Sequence, residues 1–206
     1  MFVEAAGRAC VVVGGGPIAE GKVQGLLAVG ADVTVVSPTL TPALTAAVRE
    51  ARITHRRRAY RAGDLEGAAL AFAATGESAV NAAVADEARR RGVWVNAADD
   101  PAHCDFILPA VVRRGALAVA VSTGGASPAL ARLVREEIER HLGRDYAALV
   151  EVAGDVRRAL REEQRRVDAA RWHDALSDRR FRRLVAKGRR ALAGRRLRAC
   201  LGVARA

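Results

Sequence analysis

The string VVVGGGPIAEGK, residues 11–22, restricts the fold more than any other stretch of the chain. A β-branched run leads into three glycines, a proline and a helical pattern, so strand must become helix through one tight turn. Gly14, Gly16 and Ala19 have the spacing G-x-G-x-x-[GA]. The first glycine makes the turn, the second lets backbone approach a pyrophosphate, and the small third residue lets helix pack on strand. Pro17 suits the first turn of a helix, where free N–H groups and the dipole favour an anion. Placed in the first βα unit, the motif points to a dinucleotide. A glycine turn made only for packing is the alternative.

The same alternation continues along the chain. ACVVV (9–13), DVTVV (32–36), ALAFAA (69–74) and VWVNA (93–97) have strand length and strand composition, and ITHRR (53–57) has a shorter strand pattern. Between them lie the helical patterns 18–30, 41–50 and 78–92. The last has Ala79, Val80, Ala83, Val84 and Ala88 on one face, Ser78 as N-cap and Gly92 as terminator. Strands alternating with helices imply a parallel sheet covered on both faces. A further strand, LAVAVS (117–122), precedes the turn TGGASP (123–128), and a helix capped by Ser127 should run from Pro128 through His141. Beyond residue 145 every pattern is helical. The expected class is α/β, with a Rossmann-like parallel sheet at the N-terminus and a mostly helical C-terminal region.

Composition excludes several classes. No apolar run reaches the roughly 18 residues needed to cross a bilayer, and MFVEAAGRAC is no signal peptide. Cys10, Cys104 and Cys200 are odd in number and scattered, which argues against a disulfide framework or a structural zinc site. A cytoplasmic, reduced protein with no membrane partner is expected. Charge is uneven: residues 1–128 hold 13 Lys+Arg against 12 Asp+Glu, while residues 129–206 hold 21 against 11. A basic tail suits nucleic acid, a multiply carboxylated small molecule or an acidic partner, or is simply a set of solvated arginine faces. In RRALREEQRR (157–166) the arginines alternate with acids and form no clear recognition helix, so nucleic acid ranks last.

The stretch VNAADDPAHCDF, residues 95–106, follows a strand and holds three aspartates, a histidine and a cysteine. It reads as a metal site, an acid–base site or a polar loop. The strand would deliver Asn96, Asp99 and Asp100 to the carboxyl edge of the sheet, where ligands of open α/β folds bind. Asp99 reads as a general base or as a turn residue before Pro101, and His103 as a proton acceptor, a transient iron contact or a loop group. Cys104 reads as a small buried hydrophobe and Asp105 as a cap or turn residue. At the end of the second strand VVSPTL has no acid for the adenosine ribose, and Asp32 comes too early. Ser37 and Thr39, or their backbone, would take that role. No arginine stands there either, so NAD is favoured over NADP without being fixed. The turn with Gly124, Gly125 and Ser127 can form a second anion cradle, or an ordinary helix cap.

Three segments, VVVGGGPIAEGKVQGLLAVGADVTVVSP, FAATGESAVNAAVADEARRRGVWVNAADDP and LAVAVSTGGASPALARLVREEIE, together resemble the precorrin-2 dehydrogenase/sirohydrochlorin ferrochelatase family, which is also the N-terminal part of siroheme synthase. The resemblance runs in order over roughly residues 2–142. It implies NAD-dependent oxidation of precorrin-2 to sirohydrochlorin, then insertion of Fe²⁺, a substrate rather than a resident metal, to give sirohaem. It also implies a homodimer whose middle and C-terminal segments cover the tetrapyrrole. By position, Pro17, Ile18, Pro38 and Thr39 match cofactor-contacting residues of the family, and Asp99 matches its catalytic aspartate. Asn96, Thr123, Gly124, Gly125 and Ser127 fall where substrate would be held. Thr123 stands at a site that is a phosphorylated serine in some siroheme synthases. A methyltransferase domain is not expected. The expected divisions are 1–112 for NAD binding, 113–144 for dimerisation and substrate, and 145–206 for a helical domain. A reductase of another acidic metabolite, or a redox-sensing nucleic-acid-binding protein, would be the other readings.

Overall fold

From Cys10 onward β1 (Ala9–Val13) is buried, and it lies in the middle of a five-stranded sheet in a computed structural model that describes residues 3–98 and 100–203. The order is β3 (Thr54–Arg56), β2 (Asp32–Val36), β1, β4 (Leu70–Ala73), β5 (Trp94–Ala97), and every pairing is parallel. Alternate residues of β1 feed two cores. Cys10 and Val12 join Val35, Phe72 and the inner faces of α1 (Pro17–Leu27) and α2 (Pro42–Arg49). Val11 and Val13 join Ala71, Val95 and the inner face of α3 (Ser78–Arg91). Helices therefore cover both faces, as the alternation of patterns implied. The chain order reverses between β1 and β4, which opens a crevice at the carboxyl edge there.

One local expectation needs correction. Ser78 is the first residue of α3, not its cap; Glu77 holds the N-cap position without a side-chain bond. The turn is organised instead by Thr75 and Asn81, since Asn81 Oδ1 accepts from both Thr75 N and Thr75 Oγ1. Gly92, with φ 67°, ends the helix as expected.

A buried carboxylate ties the β3 region together. Asp64, 4% exposed, accepts from Arg56, from Arg58 through both oxygens, and from the Arg61 backbone N–H. The Arg58 guanidinium, helped by the Arg61 N–H and Arg56, holds its pKa down to about 2. A depressed carboxylate stabilises the fold above its unfolded pKa near 4 and loses that contribution as pH falls towards 2. The shift corresponds to on the order of 2 kcal/mol. Urea unfolding at pH 3 and pH 7 should show Asp64→Asn with lower stability at pH 7 and a shallower acid decline than the wild type.

Residues 109–206 form a second compact unit. β6 (Ala110–Arg114) and β7 (Leu117–Val121) pair antiparallel, with Arg114 opposite Leu117 across a two-residue turn. Gly115, at φ 57°, permits that reversal. The strand expected at 117–122 is therefore one arm of a hairpin, whose other arm, β6, the sequence pattern had not marked. α4 (Pro128–His141) packs on the hairpin and is capped by Ser127, whose Oγ accepts from Leu130 N at 3.2 Å.

Among the described residues the tail holds four helices: α5 (Asp145–Glu162), α6 (Ala169–Ser177), α7 (Arg179–Ala186) and α8 (Arg190–Cys200). Asp168 and Asp178 break the helical pattern because each caps the helix that follows, accepting from Arg171 N and Phe181 N. α8 packs on α5 and α7 around the fully buried Phe181, Leu197 and Leu201. No helix among the described residues is long and apolar enough to cross a membrane.

Candidate active site on the carboxyl edge of the parallel sheet

The turn after β1 is fixed by backbone contacts that only glycine allows. Gly14 has φ 123°, and a Cβ there would overlap the Ala74 carbonyl at the end of β4. A Cβ on Gly15 would overlap the Thr39 carbonyl after β2. Gly14 N donates to Val36 O and Thr41 N donates to Gly15 O, both at 3.0 Å. Gly16 differs: nothing lies within 4 Å of where its Cβ would be. It is the N-cap of α1, no side chain caps that helix, and Pro17 and Ile18 are exposed beside it. An uncapped helix N-terminus facing open space above a glycine turn has the donors and the room a pyrophosphate needs. The residues fit a dinucleotide.

The loop after β2 is drawn onto this turn. Thr41 Oγ1 donates to Glu20 Oε2 of α1 at 2.6 Å and also caps α2. Ser37 is buried; its hydroxyl donates to Thr39 O at 2.7 Å, and its carbonyl accepts from His55 Nε2 at 2.9 Å. Ser37 therefore shapes the loop, and Pro38 and Thr39 are its exposed members. A pocket of about 410 Å³ beside Pro38 and Thr39 is also lined by Arg49 and Arg57. Sequence position had placed no arginine at this loop. The end of α2 and the residue after β3 bring two there.

Past β5, Asp99 lies outside the described residues. Its neighbours form a braced loop. Pro101–His103 is a single 3-10 turn, and His103 Nδ1 meets Asp100 Oδ2 at 2.6 Å, with both side chains about two-thirds shielded from solvent. An imidazole held at Nδ1 by a carboxylate presents Nε2 to whatever lies outside, the arrangement that suits proton transfer. Asp100 was read only as a rim carboxylate; its bond to His103 is a feature that spacing alone did not reveal. Cys104 is half-buried, and its Sγ both donates to and accepts from Ala97 at 3.2 Å. It is therefore a bonded brace as well as a packed hydrophobe. Asp105 clips the edge of β5, accepting from Val95 N at 2.9 Å. Asn96 is buried and donates to Phe106 O at 2.9 Å, while its Oδ1 has no partner among the described residues.

The remaining expected residues stand in the second unit. Thr123 Oγ1 donates to Ser127 O and accepts from Ser127 N, closing the turn on itself. Gly124 and Gly125 have φ 63° and 88°, are exposed, and have open space at their missing side chains. The first unit thus joins the glycine turn to the loop after β2, and the same sheet edge carries the Asp100–His103 loop.

Comparison with known proteins agrees with this geometry. A family model described as "Putative NAD(P)-binding" matches residues 1–110, and one described as the central part of a sirohaem biosynthesis protein matches residues 114–141. The siroheme synthase of Methylobacillus flagellatus is 43% identical over 84% of this chain and 38% of its own length. That of Photobacterium profundum is 39% identical over 91% of this chain and 40% of its own. The chain spans about two fifths of the length of these relatives. The solved structure of SirC, a precorrin-2 dehydrogenase, superposes with a TM-score of 0.71 at 28% identity, covering 93% of this chain and 96% of that one. With its NAD(P)-binding region and its sirohaem-biosynthesis central segment both matched in order, the chain belongs to the precorrin-2 dehydrogenase/sirohydrochlorin ferrochelatase family, the family of the N-terminal part of siroheme synthase.

Proposed function

We propose that the chain oxidises precorrin-2 to sirohydrochlorin with NAD in the cytoplasm, and then inserts Fe²⁺ to give sirohaem. The observation that carries the reading is the uncapped α1 N-terminus with open space at Gly16, on the same sheet edge as the loop holding Asp100 and His103. Bound NAD supplies the hydride acceptor. Gly14, Gly16, Pro17 and Ile18 would hold its pyrophosphate, and Pro38 and Thr39, on the loop shaped by Ser37, its ribose. Loss of a hydride from the substrate also releases a proton, and Asp99 is proposed to take it. His103, oriented by Asp100, would accept pyrrole protons as iron enters. Asn96 supports the loop these groups stand on and is proposed to act on the substrate through it. The Gly125 N–H, on the exposed turn formed by Gly124 and closed by Thr123 and Ser127, would hold substrate carboxylates.

A homodimer fits the second unit. Leu130 and Leu133 of α4 are about half exposed, and the β6–β7 hairpin is a sheet of only two strands. α4 packs on that hairpin, and a second copy would cover the leucines that α4 leaves exposed. Neither nucleic acid nor a membrane is proposed as a partner.

Anaerobic incubation of the chain with precorrin-2 and NAD, followed by Fe²⁺, tests the reading by absorbance. NADH and sirohydrochlorin should appear first, and the sirohaem spectrum after iron. NAD should support the reaction better than NADP, although Arg49 and Arg57 stand near enough to Thr39 to give NADP measurable affinity. Absence of both NADH formation from NAD and NADPH formation from NADP would refute the dehydrogenase assignment.

A further inference from the structure

A pocket of about 760 Å³ lies between α5, α6 and the 163–168 connection, and none of the residues assigned above lines it. Its size falls in the range of small-molecule sites, roughly 300–1,000 Å³. Leu160, Trp172 and Leu176 contribute apolar surface, and Arg157, Arg161, Arg165 and Arg166 line it with charge. Arg157 and Arg161 are one turn apart on α5, where like charges oppose each other. Arg165 and Arg166 arrive through a helix end in which Gln164 N donates to Arg161 O and Arg165 N to Leu160 O. That end puts Gln164, a non-glycine, at φ 53°.

Several arginines of the helical tail are neutralised. Arg158, Arg190, Arg196 and Arg198 pair with Asp155, Glu151, Asp178 and Glu163. None of the four pocket arginines forms an ion pair among the described residues. Flat apolar surface including an indole, set among unpaired guanidinium groups, matches a ligand with flat apolar faces and several carboxylates. Guanidinium groups bind carboxylates through paired N–H bonds and stack on conjugated planes. We propose that this pocket binds a planar polycarboxylate of the tetrapyrrole class, as a holding site built from none of the residues assigned above. Only the identity of the ligand rests on the function proposed above.

The chain has two tryptophans, so Trp94→Phe leaves Trp172 as its single indole. Titrating that full-length variant with uroporphyrin, a planar octacarboxylate, should quench Trp172 saturably. Energy transfer can quench over long distances, so the deciding comparison is Arg161→Glu/Arg165→Glu in the same background. Affinity should fall at least tenfold, with NAD binding and circular dichroism unchanged. Arg161→Gln/Arg165→Gln, which removes charge without reversing it, should fall in the same direction and replaces the first pair if that fails to fold. Equal affinity in the folded variants, or displacement of the porphyrin by a short DNA duplex at matched charge concentration, would overturn the proposal. Oxidation of precorrin-2 by a chain that does not bind uroporphyrin would remove this site and leave the function standing. Porphyrin binding that depends on these arginines, without NADH formation, would support the site and count against the function.

Discussion

Gly16→Asp is expected to weaken NAD binding at least ~100-fold, about 2.7 kcal/mol, while the chain stays folded. The side chain enters open space, so packing is not disturbed. It places a carboxylate at the N-terminus of α1, where the dipole and free N–H groups would otherwise meet a pyrophosphate. Gly14→Ala should behave in the opposite way. It forces φ 123° on an alanine and drives a methyl group into the Ala74 carbonyl. A loss of roughly 2–4 kcal/mol in stability follows from the strain and the overlap together. Calorimetry with NAD and thermal unfolding separate the two outcomes. Unchanged NAD affinity in a folded Gly16→Asp protein would remove the dinucleotide from this turn.

Asp99→Asn should lower the rate of NADH formation from precorrin-2 by ~10²–10⁴, or about 3–5 kcal/mol, the usual contribution of a general base. The amide keeps the size of the carboxylate and cannot take the proton, so NAD affinity should hardly change. Iron insertion into supplied sirohydrochlorin provides a second readout. There His103→Ala and Asp100→Asn should reduce the rate together, and the double variant should be little worse than His103→Ala, because the carboxylate acts through the ring it bonds. An Asp99→Asn protein that oxidises precorrin-2 at the wild-type rate would rule out this base and make Asp100 the next to test.

Local order in the chain was enough to determine the strand–turn–helix unit at residues 11–22, the parallel character of the sheet, and the helix that begins after Ser127. Those features depend on neighbours: a β-branched run, a glycine with φ 123°, a serine whose Oγ reaches a backbone N–H three residues on. The same locality explains one misplacement. Ser78 had the composition of a cap, but the Thr75–Asn81 pair, six residues apart, took over the start of α3. LAVAVS was legible as a strand, but its partner Ala110–Arg114, joined to it through Gly115, was not.

Groups far apart in the sequence were settled only by tertiary structure. Crossovers between parallel strands bring Glu20 to Thr41, His55 to Ser37, and Arg49 and Arg57 to the pocket beside Thr39. Spacing carries no trace of these contacts, because helices and strands of unrelated length separate the partners. The four arginines of the tail pocket were visible as charge and no more. Which arginines pair and which stay free depends on where Asp155, Glu151, Asp178 and Glu163 come to rest, and packing around Phe181, Leu197 and Leu201 decides that.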